Sequence, residues 1–135
     1  MIIGVGIDLV DLDEFRDRLS DTVIRELFLP EEIEYSSSRA RPWESYAVRF
    51  AAKEAAFKAL GAGRAQGLAW KDIEVVRDAN GVVGLRLTGS AGALADKRGV
   101  TGSLVSLTHT RRTAAAVVVL ESGGEGLSDH PRGTP

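Results

Sequence analysis

Three charged side chains within apolar stretches could carry chemistry in this sequence. Asp8 ends the β-branched run at residues 2–7, and Glu54 and Lys58 lie one helical turn apart in the segment 45–61. A carboxylate in apolar surroundings is costly unless it is paired, hydrogen-bonded or bound to a metal. Two such carboxylates that fold together need a cation, and Mg²⁺ at phosphoryl sites is held by few carboxylates, completed by water and phosphate oxygens. The pattern therefore raises the hypothesis of a magnesium site at Asp8 and Glu54.

Each candidate also has a simpler interpretation. Glu54 and Lys58 can form an i,i+4 ion pair on a solvated helix edge, and the helix alone favours this reading. Asp8 can turn the chain or cap the next helix. His109 can be a turn histidine, although the hydroxyl groups around it also suit a phosphate or nucleotide; these belong to Ser106, Thr108 and Thr110.

Composition restricts the classes of site and of protein. The chain has 135 residues, a net charge of −2, no cysteine and two histidines, so disulfides and thiolate metal sites are excluded. No apolar run approaches the length of a membrane span and no basic segment precedes the apolar N-terminal run, so we expect a soluble, cytoplasmic protein. The charge and the 6% aromatic content disfavour a nucleic-acid-binding module, although Arg39–Arg41, Lys97–Arg98 and Arg111–Arg112 could contact anions.

The periodicity of the chain predicts an α+β domain. The segment 45–61 is rich in helix formers and predicts a central helix that ends at Gly61, with Tyr46, Phe50 and Phe57 on the core side. Shorter helices are predicted over 12–19, 22–28, 30–35 and 90–98. Strands are predicted over 2–7, 72–77, 82–88, 103–109 and 114–120, with the first and the last buried on both faces.

These elements predict a mostly antiparallel sheet with helices packed on one side. Residues 1–121 would form a single domain, and the glycine-, serine- and proline-rich tail 122–135 is expected to be disordered. The loop GAGRAQG at 61–67 could cradle a phosphate or be a plain connector, because it matches neither the Walker A motif nor G-x-G-x-x-G.

Three blocks of sequence resemble a known family. GVGIDLVDLDEF at 4–15, RFAAKEAAFKALG at 49–61 and VSLTHTRRTAAAVVVLE at 105–121 are similar in order and spacing to the holo-acyl-carrier-protein synthases, a family of 4′-phosphopantetheinyl transferases. The resemblance covers residues 1–121. It implies a Mg²⁺-dependent transfer of 4′-phosphopantetheine from coenzyme A to a serine of apo-acyl carrier protein, with release of adenosine 3′,5′-bisphosphate.

The resemblance also implies roles for individual residues. Asp8 and Glu54 would be the magnesium ligands, and Lys58 would contact the phosphates with help from Lys53. The family typically forms homotrimers with active sites at the subunit interfaces. There the adenosine and 3′-phosphate end of coenzyme A would be held across the interface by Ser106, Thr108, His109 and Thr110. Arg49 and the loop Gly61–Gly63 would line the same pocket.

Further residues are implied in partner docking and in proton transfer. The acidic carrier protein would dock on Arg16, Arg18 and Arg25. The identity of the base that takes the serine proton stays open. It could be Glu54, acting through a metal-bound water, or Glu32, or Glu34. Thr108 stands where the family usually has serine, and Ala62 and Arg64 replace the usual Thr and Ile, which leaves pocket details open.

A rival hypothesis is a catalytically silent trimer that binds coenzyme A or a nucleotide as a sensor or scaffold. The joint presence of Asp8, Glu54 and Lys58 argues against it, because a binder needs no metal pair in apolar surroundings. The sequence leaves open whether the carrier protein serves fatty acid or polyketide biosynthesis.

Overall fold

A computed structural model describes residues 1–123. Of the tail 122–135, which is predicted to be disordered, residues 124–135 lie outside the described residues. The elements in chain order are β1 (Ile2–Asp11), α1 (Leu12–Arg18), α2 (Asp21–Leu27), α3 (Pro30–Ser37), α4 (Pro42–Leu60), β2 (Ile73–Arg77), β3 (Val83–Leu87), α5 (Gly89–Lys97), β4 (Gly102–His109) and β5 (Thr113–Glu121). Two short 3₁₀ turns, Arg64–Gln66 and Trp70–Asp72, connect α4 to β2.

Within residues 1–123 all strands pair antiparallel, in two sheets. One sheet has the order β1-β5-β4, and the other is the hairpin β2-β3. The Asp78 carboxylate stabilises the hairpin turn by accepting hydrogen bonds from the backbone N–H groups of Asn80 and Val82. The predicted α+β class, the antiparallel pairing and the central position of the last strand are confirmed.

The helix α4 is the central element of the core. Pro42 occupies its first turn, three residues before the predicted start, and Gly61 ends it with a φ of 73°, a backbone conformation that suits glycine. Its buried alanines let the sheet approach closely; they are Ala47, Ala51, Ala52, Ala55, Ala56 and Ala59. No helix within residues 1–123 is long and apolar enough to cross a membrane.

Two glycines of β1 fix the contact between this strand and α4. A Cβ atom at Gly4 would overlap the carbonyl oxygen of Ala59, and one at Gly6 would overlap that of Ala55. Backbone therefore packs directly on backbone, which brings the following residue on the same face of β1, Asp8, beside the last turns of α4.

The opposite face of the three-stranded sheet is apolar and uncovered. Ile2, Val5, Ile7 and Leu9 are exposed on β1, and every second residue of β5 is only half-buried. The prediction that the first and last strands are buried on both faces is therefore wrong for the single chain. The reason is that α4 covers only one side of the sheet.

Candidate active site

Asp8 and Lys58 meet at the edge of α4. The Lys58 ammonium donates to Asp8 Oδ1 at 3.1 Å and to the carbonyl oxygen of Ile7 at 3.0 Å. The Asp8 side chain is 16% exposed and that of Lys58 is 57% exposed. Lys58 therefore pairs with a carboxylate on β1, and Glu54 does not form the i,i+4 salt bridge that the helix alone favours.

Glu54 lies half-buried in the same neighbourhood. Its pKa is raised above the ordinary value of 4.5, first by burial and then by the negative charge of Asp8, while the Lys58 ammonium opposes the shift. Two carboxylates that repel each other and share one ammonium form a site that a cation would stabilise.

The donor set fits a hard divalent ion. Both side chains offer carboxylate oxygens, which Mg²⁺ prefers, and residues 1–123 contain no cluster of three or more His, Cys, Asp or Glu that could hold a metal. Asp8 and Glu54 would thus supply two ligands and leave the other positions to water and substrate oxygens.

A cavity of about 510 Å³ opens between α1, α2 and α4, with Asp8 and Glu54 in its wall. Much of the remaining wall is apolar, formed by Phe15, Leu19, Val23, Leu27, Phe50 and Trp70. The rings of Phe50 and Trp70 are in contact, with 5.2 Å between centroids. On the other side of Glu54 a second hollow is lined by Lys58, Gly61 and Gly63.

Lys53 does not face this site. Its side chain has no exposure, and its ammonium binds Glu32 Oε1 at 2.9 Å and the carbonyl oxygens of Trp70 and Ile73. The prediction that Lys53 helps to bind the phosphates is therefore wrong: all its donors are engaged inside the core.

Glu32 is unsuited to act as a base for the same reason. Its carboxylate accepts from Lys53 and from the backbone N–H groups of Leu29 and Val75, and the residue is 2% exposed. Glu34 lines a groove on the outer side of α2 and α3, not the cavity that contains Asp8. Of the three candidate bases, Glu54 is the one in the cavity wall.

The residues expected at the adenosine end of coenzyme A lie at a different place. Thr108 and His109 line a cavity of about 610 Å³ together with Arg49. Ser106 and Thr110 are exposed on and just after β4. Within one chain Arg49 lines this cavity and Gly61–Gly63 line the hollow beside Lys58, because Arg49 and Glu54 lie about 140° apart around α4. The resemblance places their shared pocket at a subunit interface, so that pocket stays a prediction.

Arg49 is poised for a ligand. The residue is 3% exposed, its Nη1 donates to Ser45 Oγ at 2.9 Å, and its Nε has no partner among the described residues. Burial lowers the pKa of its guanidinium. An unpaired buried donor is costly, so an anion in the adjoining cavity would relieve it.

Sequence reasoning missed two residues of this cavity, Tyr35 and Arg77. Three guanidinium groups approach the Tyr35 ring, with Cζ-to-centroid distances of 4.5 Å for Arg49, 4.9 Å for Arg77 and 5.1 Å for Arg39. Arg39 belongs to a basic cluster visible in the sequence. Arg77, at the end of β2, and Tyr35, on α3, carry no sequence signal that connects them to Arg49.

The three arginines expected to dock a carrier protein do not form one patch. Arg16 and Arg18 lie on opposite flanks of α1, because two residues turn a helix by about 200°. Arg18 lines the cavity with Asp8, Arg16 stacks on Trp43, and Arg25 lines the groove outside α2 and α3.

The sequence relatives of this chain identify its family. The sequence profile of the 4′-phosphopantetheinyl transferase superfamily matches residues 4–118, so the chain belongs to this superfamily. A holo-[acyl-carrier-protein] synthase of Syntrophus aciditrophicus is 46% identical over 132 residues, which cover 96% of this chain and 100% of the relative. Within the superfamily, the chain is an enzyme of the holo-acyl-carrier-protein synthase family, as the resemblance predicted.

Solved structures of holo-[acyl-carrier-protein] synthases have the same fold as this chain. Holo-[acyl-carrier-protein] synthase from Neisseria meningitidis has a TM-score of 0.80 and 28% identity, covering 90% of this chain and 100% of that chain. The synthase from Bacillus anthracis, in complex with CoA (3′,5′-ADP), has a TM-score of 0.75 and 33% identity, covering 91% of this chain and 99% of that chain.

Proposed function

We propose that this enzyme transfers 4′-phosphopantetheine from coenzyme A to a serine hydroxyl of apo-acyl carrier protein. The serine oxygen forms a bond to the phosphorus that bears pantetheine, the pyrophosphate P–O bond breaks, and adenosine 3′,5′-bisphosphate leaves. The names of the relatives support the acceptor, and the CoA complex of the Bacillus anthracis relative supports the donor. The observation that carries the proposal is the grouping of Asp8, Glu54 and Lys58 beside one cavity.

We propose Mg²⁺ as the cofactor, held by Asp8 and Glu54. When bound, the ion would neutralise negative charge on the pyrophosphate, the chief requirement in phosphoryl transfer. Burial and then the negative charge of Asp8 raise the pKa of Glu54, which supports this, because a nearby cation would offset both the burial cost and the repulsion.

Lys58 would bind a phosphate oxygen with its exposed ammonium. Its present partners, Asp8 and the Ile7 carbonyl, hold the amine at the cavity edge, and the exposed side chain can turn from the carboxylate to an incoming phosphate. A charge-assisted hydrogen bond to the leaving group would stabilise the charge that develops there.

Glu54 is the proposed acceptor of the serine proton, directly or through one water molecule. Its carboxylate lies in the wall of the cavity that contains Asp8, where a serine hydroxyl bound in the cavity could give up its proton. Glu32 is occupied by Lys53 and Glu34 lines another groove, which leaves Glu54 as the base in this cavity.

The adenosine and 3′-phosphate end of coenzyme A would bind in the cavity of Arg49 and His109, with Ser106, Thr108 and Thr110 at its edge. In one chain this cavity and the one beside Asp8 lie on different sides of α4. A homotrimer packed through the uncovered apolar sheet face would let one subunit supply the adenosine cavity and its neighbour supply Asp8, Glu54 and Lys58. The apolar exposure of Val5, Ile7 and Leu9 supports such an assembly.

We further propose that the enzyme works in the cytoplasm on a carrier protein of fatty acid or polyketide biosynthesis. The carrier would contact Arg16, Arg18 and Arg25 at separate places on α1 and α2. The catalytic unit would be residues 1–121.

The test is intact-mass spectrometry of an apo-acyl carrier protein incubated with coenzyme A, Mg²⁺ and the enzyme. The carrier should gain the mass of one phosphopantetheine group, and EDTA should prevent the gain. Binding of coenzyme A without any gain, across several carrier proteins, would instead favour the catalytically silent binder.

A further inference from the structure

A stacked pair of side chains joins α1 to the start of α4. The guanidinium carbon of Arg16 lies 3.7 Å from the centroid of the Trp43 ring. Arg16 is exposed and Trp43 is half-buried. Arg16 forms no salt bridge with any residue of the described chain, so its charge is available to a partner.

The stacking geometry determines what Arg16 can bind. Tryptophan is the strongest aromatic partner of a guanidinium, and the contact uses the flat face of the group. A guanidinium that stacks on a ring keeps its N–H donors in its own plane, roughly parallel to the ring, where they stay free to bind a carboxylate in bidentate fashion. The ring also restricts a long side chain before binding, which lowers the entropic cost of ordering it against a partner.

The pair lies beside the candidate active site. Phe15, the neighbour of Arg16 on α1, contacts Phe50 with 5.4 Å between ring centroids. Phe15 and Phe50 both line the cavity that contains Asp8 and Glu54. Arg16 itself is on the flank of α1 opposite to Arg18, which lines this cavity, so a protein held by Arg16 would lie beside the cavity, across α1 from its wall.

We propose that Trp43 is a positioning residue that presents the Arg16 guanidinium to carboxylates on the acyl carrier protein. This inference rests on the proposed function, and it adds a residue of α4 that the docking prediction did not contain. Trp43 acts through Arg16 and takes no part in the chemistry. If Trp43 only held α1 to α4, its replacement would instead lower stability or raise the KM values for both substrates alike.

The test compares Trp43→Leu, Arg16→Lys and the double variant in steady-state transfer assays, with carrier protein and coenzyme A varied separately. Arg16→Lys keeps the charge but loses the planar group. Each single variant should raise the KM for carrier protein about 2- to 5-fold, the range expected for an exposed cation–π contact. The KM for coenzyme A and kcat should stay unchanged, and the double variant should be no worse than either single one.

Lys97→Gln is the matched control, because it removes one exposed positive charge at the end of α5, outside the cavities that contain Asp8 and His109. It should leave both KM values at the wild-type level. Wild-type KM for carrier protein in Arg16→Lys, a change at an exposed side chain, would overturn the proposal even if Trp43→Leu failed to fold. Equal rises in both KM values would overturn it as well.

Failure of the proposed function has a different signature. If wild-type enzyme transfers nothing to any carrier protein, the function itself is wrong and this inference falls with it. If transfer is normal and the two single variants match wild type, only the role of Trp43 is wrong.

Discussion

Lys58 and Asp8, fifty residues apart in the sequence, lie 3.1 Å apart between Nζ and Oδ1. The contact exists because Gly4 and Gly6 bring β1 against the backbone of α4, which leaves Asp8 level with the last turns of the helix. Glu54, one turn earlier, experiences the charges of both residues. The pair therefore links the packing of the core to the electrostatics of the candidate active site.

Replacing Asp8 with Asn or Glu54 with Gln should lower kcat about 10²- to 10³-fold, the usual effect of removing a preorganised electrostatic group. Both substitutions keep the side-chain shape while removing the charge. The measurement is the rate of carrier modification at saturating Mg²⁺ and coenzyme A. Near-normal turnover in either variant would show that the metal site is assigned to the wrong residues.

Replacing Lys58 with Met should lower kcat/KM about 10- to 100-fold, because a charge-assisted hydrogen bond to phosphate is lost. Most of the effect should be on kcat if the contact strengthens as charge develops on the leaving group. Since the Lys58 side chain is largely exposed, its pair with Asp8 should be worth at most about 1 kcal/mol, so the melting temperature should fall only slightly. A change in KM for carrier protein alone would contradict the assignment.

Glu54 should make metal-free stability depend on pH. Its folded-state pKa is raised, so between the ordinary value of 4.5 and the raised value the folded protein binds more protons than the unfolded chain. Its contribution to the free energy of unfolding therefore falls as pH rises through that window, and the loss persists at neutral pH.

In EDTA, Glu54→Gln should accordingly melt at a higher temperature than wild type at pH 7, with a smaller difference near pH 4. Glu26→Gln, at an exposed position on α2, is the control and should not reproduce this pattern. Added Mg²⁺ should raise the melting temperature of wild type but not of Glu54→Gln. A Glu54→Gln variant less stable than wild type at pH 7 in EDTA would refute the argument.

The buried pair of Lys53 and Glu32 should govern stability. Lys53→Met leaves a buried carboxylate without its cation and should reduce the free energy of unfolding by about 3–5 kcal/mol. The double variant with Glu32→Leu should recover part of that loss. Chemical denaturation measures both effects, and Lys58→Met is the exposed-lysine control. An unchanged free energy of unfolding in Lys53→Met would argue against the pair.

The guanidinium cluster around Tyr35 should recognise the 3′-phosphate of coenzyme A. Arg77→Gln should raise the KM for coenzyme A several-fold, with little change for dephospho-coenzyme A, which lacks that phosphate. The comparison isolates the phosphate contact from any effect on the fold. Equal rises in KM for coenzyme A and dephospho-coenzyme A would show that the 3′-phosphate binds elsewhere.

The uncovered sheet face should hold the subunits together. Val5→Asp puts a charge on this face, at a residue 56% exposed in the single chain, and should convert trimers to monomers in light scattering after size-exclusion chromatography. Transfer should be lost with the trimer, because the two cavities would no longer meet. A monomeric wild-type enzyme that is fully active would contradict the trimer proposal.

Much of the architecture was determined by local sequence. The composition of segment 45–61 and its terminal glycine predicted α4, whose observed end agrees at Gly61. The Asn-Gly turn predicted the β2-β3 hairpin, and the apolar run 114–120 predicted a central strand. Such features depend on periodicity and turn chemistry, which neighbouring residues specify.

Only the tertiary structure decided which charged residues share a site. Lys53 and Lys58 are both lysines of α4, yet one is paired with Glu32 inside the core and the other with Asp8 at the surface. Their five-residue separation on the helix sends them toward different partners, and those partners come from α3 and β1. The sequence by itself determined the residue types and the helix that carries them. The packing of distant elements on that helix determined their environments, because burial and charge are properties of the folded chain.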